Sequence, residues 1–484
     1  MLGLIRTLLK GDGFIRGVIF LVGGASGAQI IFFLASPIIT RIYSPEEFGV
    51  LSFFVAIFAV CGVVSSLRYE LAIPIASSDV DAVNLLVLSF ICLLGITALM
   101  VAITILLSIQ GLRVEGYSQM YSYLWFLPIG VFFIGLHQIL VNWGLRRKAF
   151  GRIAGTRIKQ SVSTVASQIG FHKFGVTALV AGYIGGLAVA SFALGGAILK
   201  SKDLQYYRWN RVLNVARRHK RFAYIDIWAA LFNTAGVQMP PILFALLFSP
   251  AVAGVYALAH RVLALPAALI GEAVGKVFFA NAADARRKGD ISFLVLNLNK
   301  SLAYLAMPPA LIIITAGPYL FDFIFGAGWG VSGKYAQWMM PWLYLVFLAS
   351  PLSSLFLINE RQKDGLVFQS ILLVCRLVSL LVGAGYEDAS LAIFLFSVSS
   401  AICWIGFVKW VSYSIGVSFV KLVSPILTSL FWSVLAILPL GVVCNFPVSL
   451  GMFLVGFFLT IIFVSVYYYF FLKWAFFQLR AGVK

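Results

Sequence analysis

The sequence predicts an all-α polytopic membrane protein, and three observations support this fold class. Hydrophobic residues make up 61% of the chain and charged residues only 11%, with a mean hydropathy of +0.99. Apolar runs of about 20 residues, the length that crosses a bilayer, follow one another along the chain. Basic residues cluster in alternate connections between these runs, as the positive-inside rule describes. Soluble classes are excluded, because a soluble protein does not hide this much apolar surface.

The net charge of +19 has the same explanation. In a soluble protein it would indicate nucleic-acid binding, but here the basic residues lie between apolar runs, so we expect no nucleic-acid partner. The cysteines lie within apolar runs at no metal-ligand spacing, which indicates packing residues, and neither a metal nor a cofactor is expected. They are Cys61, Cys92, Cys375, Cys403 and Cys444.

Taken in order, the apolar runs predict about 14 transmembrane helices with both termini in the cytoplasm. The predicted spans are about 14–39, 48–67, 82–108, 122–142, 155–171, 174–199, 224–248, 251–280, 293–316, 335–358, 365–384, 388–408, 423–443 and 448–472. With this assignment, four outer connections hold one basic residue each: Arg41, Arg113, Lys173 and Lys334. Nearly every other Lys or Arg lies on the inner side, which supports the assignment.

A short repeat predicts two halves of similar structure. Ser44–Val50 reads SPEEFGV, and Ser249–Val255 reads SPAVAGV at an offset of 205 residues. A proline precedes each copy, Pro37 in one and Pro241 in the other. Six crossings per half give both halves the same orientation, so the repeat is expected to be parallel. The predicted divisions are an N-terminal lobe at 1–199, a C-terminal lobe at 222–415, and two further helices at 416–484.

The connection between the lobes, residues 200–221, is the longest basic segment of the chain. Apolar residues recur at i, i+3, i+4 and i+7 with arginines between them: Trp209, Val212, Leu213 and Ala216. This spacing predicts an amphipathic helix that lies on the inner leaflet and joins the lobes.

Clusters of small residues predict close helix packing. Residues 23–27 read GGASG, with no preceding strand and no following Lys-Ser/Thr, so a phosphate-binding loop is not favoured. Gly182 and Gly186 form a second face of small residues. Small residues at such spacing allow the backbones of neighbouring membrane helices to approach each other.

Ionisable residues at membrane depth are the candidates for function, because they are costly there without a role. The eighth predicted span is the richest. Arg261 lies well inside it beside His260, and Glu272 returns to nearly the same face 11 residues later. Lys276 is four residues from Glu272, the orientation that favours an ion pair. The span therefore predicts a cationic stripe with one carboxylate, and a purely structural Glu272–Lys276 pair is an equal alternative.

Weaker candidates lie on other spans. Arg68 and Glu70 are predicted at the inner mouth of the second span, where they would pair with each other or with lipid headgroups. Arg376 lies in the middle of the eleventh span, where a buried partner and a substrate contact are equally consistent with the sequence. Asn233 and Gln238 precede Pro240-Pro241, where the freed backbone is expected to face a cavity.

The segments RIYSPEEFGV at 41–50 and SLRYELAIPIA at 66–76, after a basic N-terminus, resemble the polysaccharide transporter family. These O-antigen flippases belong to the multidrug/oligosaccharidyl-lipid/polysaccharide exporter superfamily. The resemblance implies two six-helix lobes around a central cavity. A count of fourteen helices resembles the peptidoglycan lipid II flippase, in which the last two helices form a groove for the lipid tail.

The same resemblance implies that the protein carries an undecaprenyl-diphosphate-linked oligosaccharide from the inner to the outer leaflet by alternating access. The repeat unit would serve O-antigen, capsule or exopolysaccharide synthesis. Implied partners are the lipid-linked oligosaccharide, membrane lipids and other polysaccharide-assembly membrane proteins. The implied location is the bacterial cytoplasmic membrane, and no catalytic residue is expected.

Two alternatives remain open at this point. A multidrug/cation antiporter of the same superfamily would be expected to hold a carboxylate in its first half, but the first span has none and the charges at depth are mostly basic. A glycan polymerase or ligase would need a large outer loop with paired catalytic residues, and the predicted outer loops are short and poor in acids and His.

Overall fold

A computed structural model describes residues 13–109, 123–199, 206–271, 290–444 and 450–481, with four short pieces at 274–275, 277–278, 281–282 and 285–286. Throughout these residues the regular structure is helical, and they contain no strand. The predicted all-α class is confirmed.

The helices of the first part of the chain are α1 (Gly13–Ile42), α2 (Pro45–Val64), α3 (Asp79–Ile109), α4 (Phe126–Arg146), α5 (Phe150–Gly170), α6 (Val176–Leu199) and α7 (Trp209–Arg218). The later helices are α8 (Ile227–Leu247), α9 (Pro250–Pro266), α10 (Ile291–Phe325), α11 (Gly330–Ala349), α12 (Leu355–Ile358), α13 (Gln362–Gly385), α14 (Ala389–Ser414), α15 (Phe419–Cys444) and α16 (Leu450–Ala481). Two π-helical turns, Phe222–Asp226 and Ala267–Gly271, adjoin α8 and α9.

Among the described residues, 13 helices are long and apolar enough to cross a membrane. The remaining predicted span corresponds to α5, which has 21 residues but is not one of the 13. Its hydropathy is low because it carries Arg152, Arg157 and Lys159 together with several Ser, Thr and Gln residues. Its length is nevertheless sufficient to cross the apolar core of a bilayer.

Small residues hold α5 against its neighbours α1 and α6. A Cβ atom added at Gly24 would lie 2.6 Å from the Cα atom of Ala154. One added at Gly186 would lie 2.0 Å from the hydroxyl oxygen of Thr164. The predicted role of both glycine clusters in close helix packing is confirmed, and it brings polar α5 into the bundle.

The chain divides into two compact units, Met1–Ala257 and Leu258–Lys484. A buried cluster in the first unit joins α3, α4, α5 and α7, with Leu85, Trp143 and Val215 among its members. The second unit has three apolar clusters, formed mainly by α10, α11, α14, α15 and α16. The lobe boundary expected near residue 222 stays a prediction.

The two copies of the SPxxxGV repeat each begin a helix. The Ser44 hydroxyl accepts a hydrogen bond from Glu47 N, and the Glu47 carboxylate accepts one from Ser44 N, which forms a capping box at α2. The Ser249 hydroxyl accepts from Val252 N at the start of α9. The repeat therefore encodes a helix N-terminus in both places.

The two repeats also contact each other within the first unit. A Cβ atom added at Gly49 would lie 1.6 Å from the carbonyl oxygen of Pro250. One added at Gly254 would lie 1.9 Å from the carbonyl oxygen of Pro45. Each repeat thus places its glycine against the first turn of the other, and neither position has room for a side chain.

Candidate functional site

The structure divides the predicted site residues between its two units. Arg68, Glu70, Asn233 and Gln238 lie in the first unit, whereas His260, Arg261 and Arg376 lie in the second. On α8, Asn233 is exposed and lies about two turns before Pro240, and Gln238 is half-buried and lies two residues before it. Glu272 and Lys276 lie outside the described residues, so their expected ion pair stays a prediction.

Arg68 lies in a turn in which two successive residues have left-handed backbone conformations. Leu67 and Arg68, three and four residues after the end of α2, have φ values of 50° and 63°. The turn directs the guanidinium to the π-helical turn before α8, where Arg68 Nε donates to the Oδ2 atom of Asp226 at 3.0 Å. Non-glycine residues at positive φ are uncommon, and two in succession mark a turn that the surrounding structure holds in place.

Glu70 lies two residues beyond Arg68 and is only 2% exposed. The Ser66 hydroxyl donates a hydrogen bond to its carboxylate. Burial raises the pKa of Glu70, while the bond from Ser66 and the charge of Arg68 oppose this shift. The segment after α2 therefore holds one ion pair, Arg68–Asp226, and one buried carboxyl beside it.

Arg376, on α13, is surrounded by side chains of the second unit. Its Nε atom donates to the Ser400 hydroxyl at 2.9 Å. Its guanidinium carbon lies 4.9 Å from the ring centre of Trp342 and 5.0 Å from that of Phe396, both within cation–π distance. The His260 ring stacks on Trp342 with 6.3 Å between ring centres. This geometry favours a protein-held arginine over a direct substrate contact at this position.

Arg261 is half-buried in the last turns of α9. At 1.5 Å per residue it lies about 16 Å along the helix from Pro250, close to the middle of a bilayer about 30 Å thick. The α-helical geometry ends at Pro266 and a π-helical turn follows. Such π turns inside membrane helices frequently occur at functional sites.

The structure also shows a groove lined in part by the last two helices, α15 and α16; the resemblance implied a groove between these helices, but none of its lining residues was predicted. Its volume is about 760 Å³, and its walls come from α10, α15 and α16. The lining is mostly aromatic and aliphatic, and includes Tyr304, Trp432, Phe463, Tyr467 and Phe470. One lysine, Lys300, also lines the groove.

Tyrosine hydroxyls hold the two sides of the groove together. Tyr467 donates to the carbonyl of Tyr304 at 3.0 Å, and Tyr468 donates to that of Leu305 at 2.7 Å. The rings of Tyr304 and Phe471 stack 5.6 Å apart. A usable sequence signal was present, because Lys300 stands nine residues inside an apolar helix and the aromatic run at 467–471 belongs to the last span.

Comparison with solved structures defines the class of fold. The chain is similar to the lipid II flippase MurJ in an inward closed conformation, with a TM-score of 0.68 and 14% identity, over 95% of this chain and 98% of that one. It is also similar to an inward-facing multidrug resistance MATE family transporter of the MOP superfamily, with a TM-score of 0.62 and 14% identity, over 80% and 94% of the two chains. The chain therefore shares the fold of these two transport proteins.

A third similar structure is a MOP superfamily transporter from Pyrococcus furiosus whose binding pocket has reversed polarity. Its TM-score is 0.54 at 15% identity, over 84% of this chain and 97% of that one. No curated protein matches the sequence.

The sequence itself defines the family. The family model described as "Polysaccharide biosynthesis protein" matches residues 38–333, more than half of the chain. The chain belongs to this family of multi-pass membrane proteins, as the RIYSPEEFGV and SLRYELAIPIA segments predicted. The family description names polysaccharide biosynthesis, and the fold is shared with solved transport proteins.

Proposed function

We propose that this protein is a flippase that moves an undecaprenyl-diphosphate-linked oligosaccharide from the inner to the outer leaflet of the bacterial cytoplasmic membrane by alternating access. The oligosaccharide would be a repeat unit of O-antigen, capsule or exopolysaccharide. The observation that carries the proposal is the groove between α10, α15 and α16, which combines an apolar aromatic wall with one lysine. The family assignment supports a polysaccharide precursor as the cargo.

The apolar wall of the groove suits an isoprenoid tail. Trp432, Phe463 and Phe470 line the groove and are each at least half exposed in the protein alone, so their free surface faces lipid when the helices are in a membrane. A long apolar chain can bind along such a wall without burying a polar group that lacks a hydrogen-bond partner. The tail would stay in contact with the bilayer while the polar head of the substrate crosses.

Lys300 suits the phosphate end of the same molecule. It lies about 14 Å along α10 from Ile291, at 1.5 Å per residue; because this 35-residue helix is longer than the apolar core of a bilayer, we place Lys300 just inside one edge of that core. A cation at this depth costs free energy unless it serves a partner or a substrate. Lysine is a common phosphate ligand and acts as a point charge.

Arg261 is the second cation that we assign to the diphosphate. A guanidinium offers two parallel hydrogen bonds to phosphate oxygens, and its depth in α9 is consistent with a substrate that crosses the bilayer. Arg68, Lys276, Asn233 and Gln238 remain proposed contacts of the sugar and phosphate groups. Arg376 and His260, together with Glu70 and Glu272, are assigned to positioning or coupling.

The proposal is tested by transport in proteoliposomes that contain a polyprenyl-diphosphate-linked oligosaccharide with a fluorescent sugar. Movement between leaflets is measured as loss of the signal to an impermeant reducing agent. Lys300→Gln should lower the initial rate about tenfold, because it removes a charge-assisted phosphate contact. Lys421→Gln removes an exposed lysine near the start of α15, away from the groove, and should transport at the wild-type rate.

Arg261 is tested in the same assay. Arg261→Ala should abolish transport while the protein level in the membrane stays normal, and Arg261→Lys should restore only part of the rate, since the bidentate geometry is lost. Normal transport by both Lys300→Gln and Arg261→Ala would refute the proposed substrate contacts. Movement of cationic drugs, without movement of the lipid-linked sugar, would identify a multidrug antiporter instead.

A further inference from the structure

The linker helix α7 has two flanks with different surroundings. Val212 and Val215 are buried and face the first unit, where Val215 packs into the apolar cluster with α3 and α4. Trp209 and Leu213, by contrast, are each 57% exposed. The four apolar residues predicted to lie together on the leaflet are therefore divided: Val212 and half-buried Ala216 contact protein, and only Trp209 and Leu213 remain outside.

Polar contacts hold the protein-facing side of α7 against α3 and the turn that precedes α3. Asp81 lies 3.5 Å from Arg218 and 4.0 Å from Arg211, atom to atom. The Tyr69 hydroxyl donates to the carbonyl of Ala216 at 3.4 Å. Arg208 N donates to the side-chain oxygen of Asn84 at 3.0 Å. These contacts account for two of the arginines of the helix and fix its orientation on the first unit.

The remaining flank combines aromatic, aliphatic and basic side chains. Trp209, Leu213 and Arg217 are spaced four residues apart and so lie along one side of the helix, and all three are exposed. Lys220 and Arg221 lie just beyond the end of α7 and are also exposed. No acidic residue occurs between Trp209 and Arg221.

The exposed side chains continue into the membrane helix that follows. The span Phe222–Leu247 begins one residue after Arg221. Its first turns expose Tyr224, Ile225 and Trp228, and tyrosine and tryptophan are enriched at the membrane–water interface. The basic flank of α7 is thus joined by a few residues to the level at which lipid headgroups lie.

We propose that the flank formed by Trp209, Leu213, Arg217, Lys220 and Arg221 binds the anionic headgroups of the adjacent lipid leaflet. The indole and the leucine enter the headgroup region, and the three basic side chains contact lipid phosphates. The linker is then held from two sides, by Asp81 and Asn84 of α3 and by anionic lipid. The lipid composition of the leaflet therefore sets how firmly the linker is held.

Hydrogen exchange of residues 206–221 tests the proposal with the full-length protein in lipid nanodiscs. In discs that contain about one third phosphatidylglycerol, the amides of α7 should exchange at least about fivefold more slowly than in discs of phosphatidylcholine alone, since each basic residue near an anionic surface contributes roughly a factor of five. Glycerol phosphate added to the phosphatidylcholine discs should not slow exchange, because the flank binds a leaflet rather than a free phosphate.

Two variants of the flank and one control variant complete the test. Trp209→Ala/Arg217→Gln should lose most of the difference between the two lipids, and Arg217→Gln alone should lose part of it. Lys421→Gln removes one exposed charge from α15 and should keep the full difference. Unchanged exchange in α3 shows that the variants are folded. Equal exchange of α7 in both lipids for the wild-type protein would overturn the proposal.

Discussion

At the scale of single residues, the buried carboxyl of Glu70 has the most direct consequence for stability. It is 2% exposed and accepts a hydrogen bond from Ser66, while the neighbouring arginine bonds to Asp226. An ionised carboxylate in this position loses most of its hydration. The folded protein therefore favours the protonated form of Glu70.

This preference predicts a pH dependence that Glu70→Gln should remove. Because the pKa of Glu70 is raised by folding, its contribution to stability is complete below the ordinary glutamate pKa of 4.5 and is lost as the pH rises through the folded-state pKa. In detergent, the thermal midpoint of Glu70→Gln should therefore increase relative to that of the wild-type protein as the pH rises above about 4.5.

Glu46→Gln is the matched control, since it neutralises an exposed carboxylate in the first turn of α2. The difference between its thermal midpoint and that of the wild-type protein should not change with pH in the way expected for Glu70→Gln. A constant difference between Glu70→Gln and the wild-type protein at all pH values would show that Glu70 does not titrate in this range.

At the scale of helices, the contact between the two SPxxxGV repeats limits which residues the chain tolerates. Gly49 and Gly254 each face a carbonyl oxygen at a distance shorter than a Cβ atom allows. Backbone atoms cannot move aside in the way that the end of a long side chain can. The first turns of α2 and α9 must separate to admit even a methyl group.

We expect Gly49→Ala and Gly254→Ala each to destabilise the protein by about 1–3 kcal/mol, the usual cost of an overpacked contact. Thermal unfolding in detergent measures the effect. Gly23→Ala is the control, because nothing lies within 4 Å of a Cβ atom at that position of α1. Its stability should equal or exceed that of the wild-type protein, since alanine favours a helix over glycine. Wild-type stability of both Gly49→Ala and Gly254→Ala would contradict the contact.

Helix α5 shows how neighbours change what a sequence can form. Its polar residues would be costly in lipid as an isolated helix. In the structure, Ser161, Thr164 and Gln168 are buried among α1 and α6, and the Gln168 amide donates to the carbonyl of Leu179 at 3.0 Å. Protein contacts replace lipid around these side chains, so a helix of low hydropathy fits among apolar ones.

At the scale of the whole molecule, the orientation in the membrane is the main open prediction. The basic connections place α7 and both termini on the cytoplasmic side and the connection between α13 and α14 outside. A cysteine-free background is suitable for labelling, because the native cysteines are all half-buried. Exposed positions are available on both sides.

Asn214→Cys on α7 should be shielded from an impermeant thiol reagent applied to intact cells, and should react once the membrane is permeabilised. Tyr386→Cys, between α13 and α14, should react in intact cells. The paired result measures sidedness at two exposed positions with one reagent. Labelling of Asn214→Cys from outside would reverse the orientation and, with it, the proposed direction of transport.

The sequence by itself determined the all-α class and the positions of nearly all the helices. Apolar runs of bilayer length and the hydrogen-bonding needs of the backbone in lipid leave the helix as the structure that such runs adopt. The start of α2 is also determined by local sequence, because the Ser44–Glu47 capping box lies within four residues. The family followed from short segments of the first 80 residues.

Only the tertiary structure decided which distant residues meet. The contact of Gly49 with Pro250, the pairing of Arg68 with Asp226 and the groove that contains Lys300 join residues more than 100 positions apart or helices far separated in the chain. The charges at membrane depth were visible in the sequence, but their partners were not. Helix periodicity specifies which face of a helix a residue occupies, whereas packing between helices specifies what that face contacts.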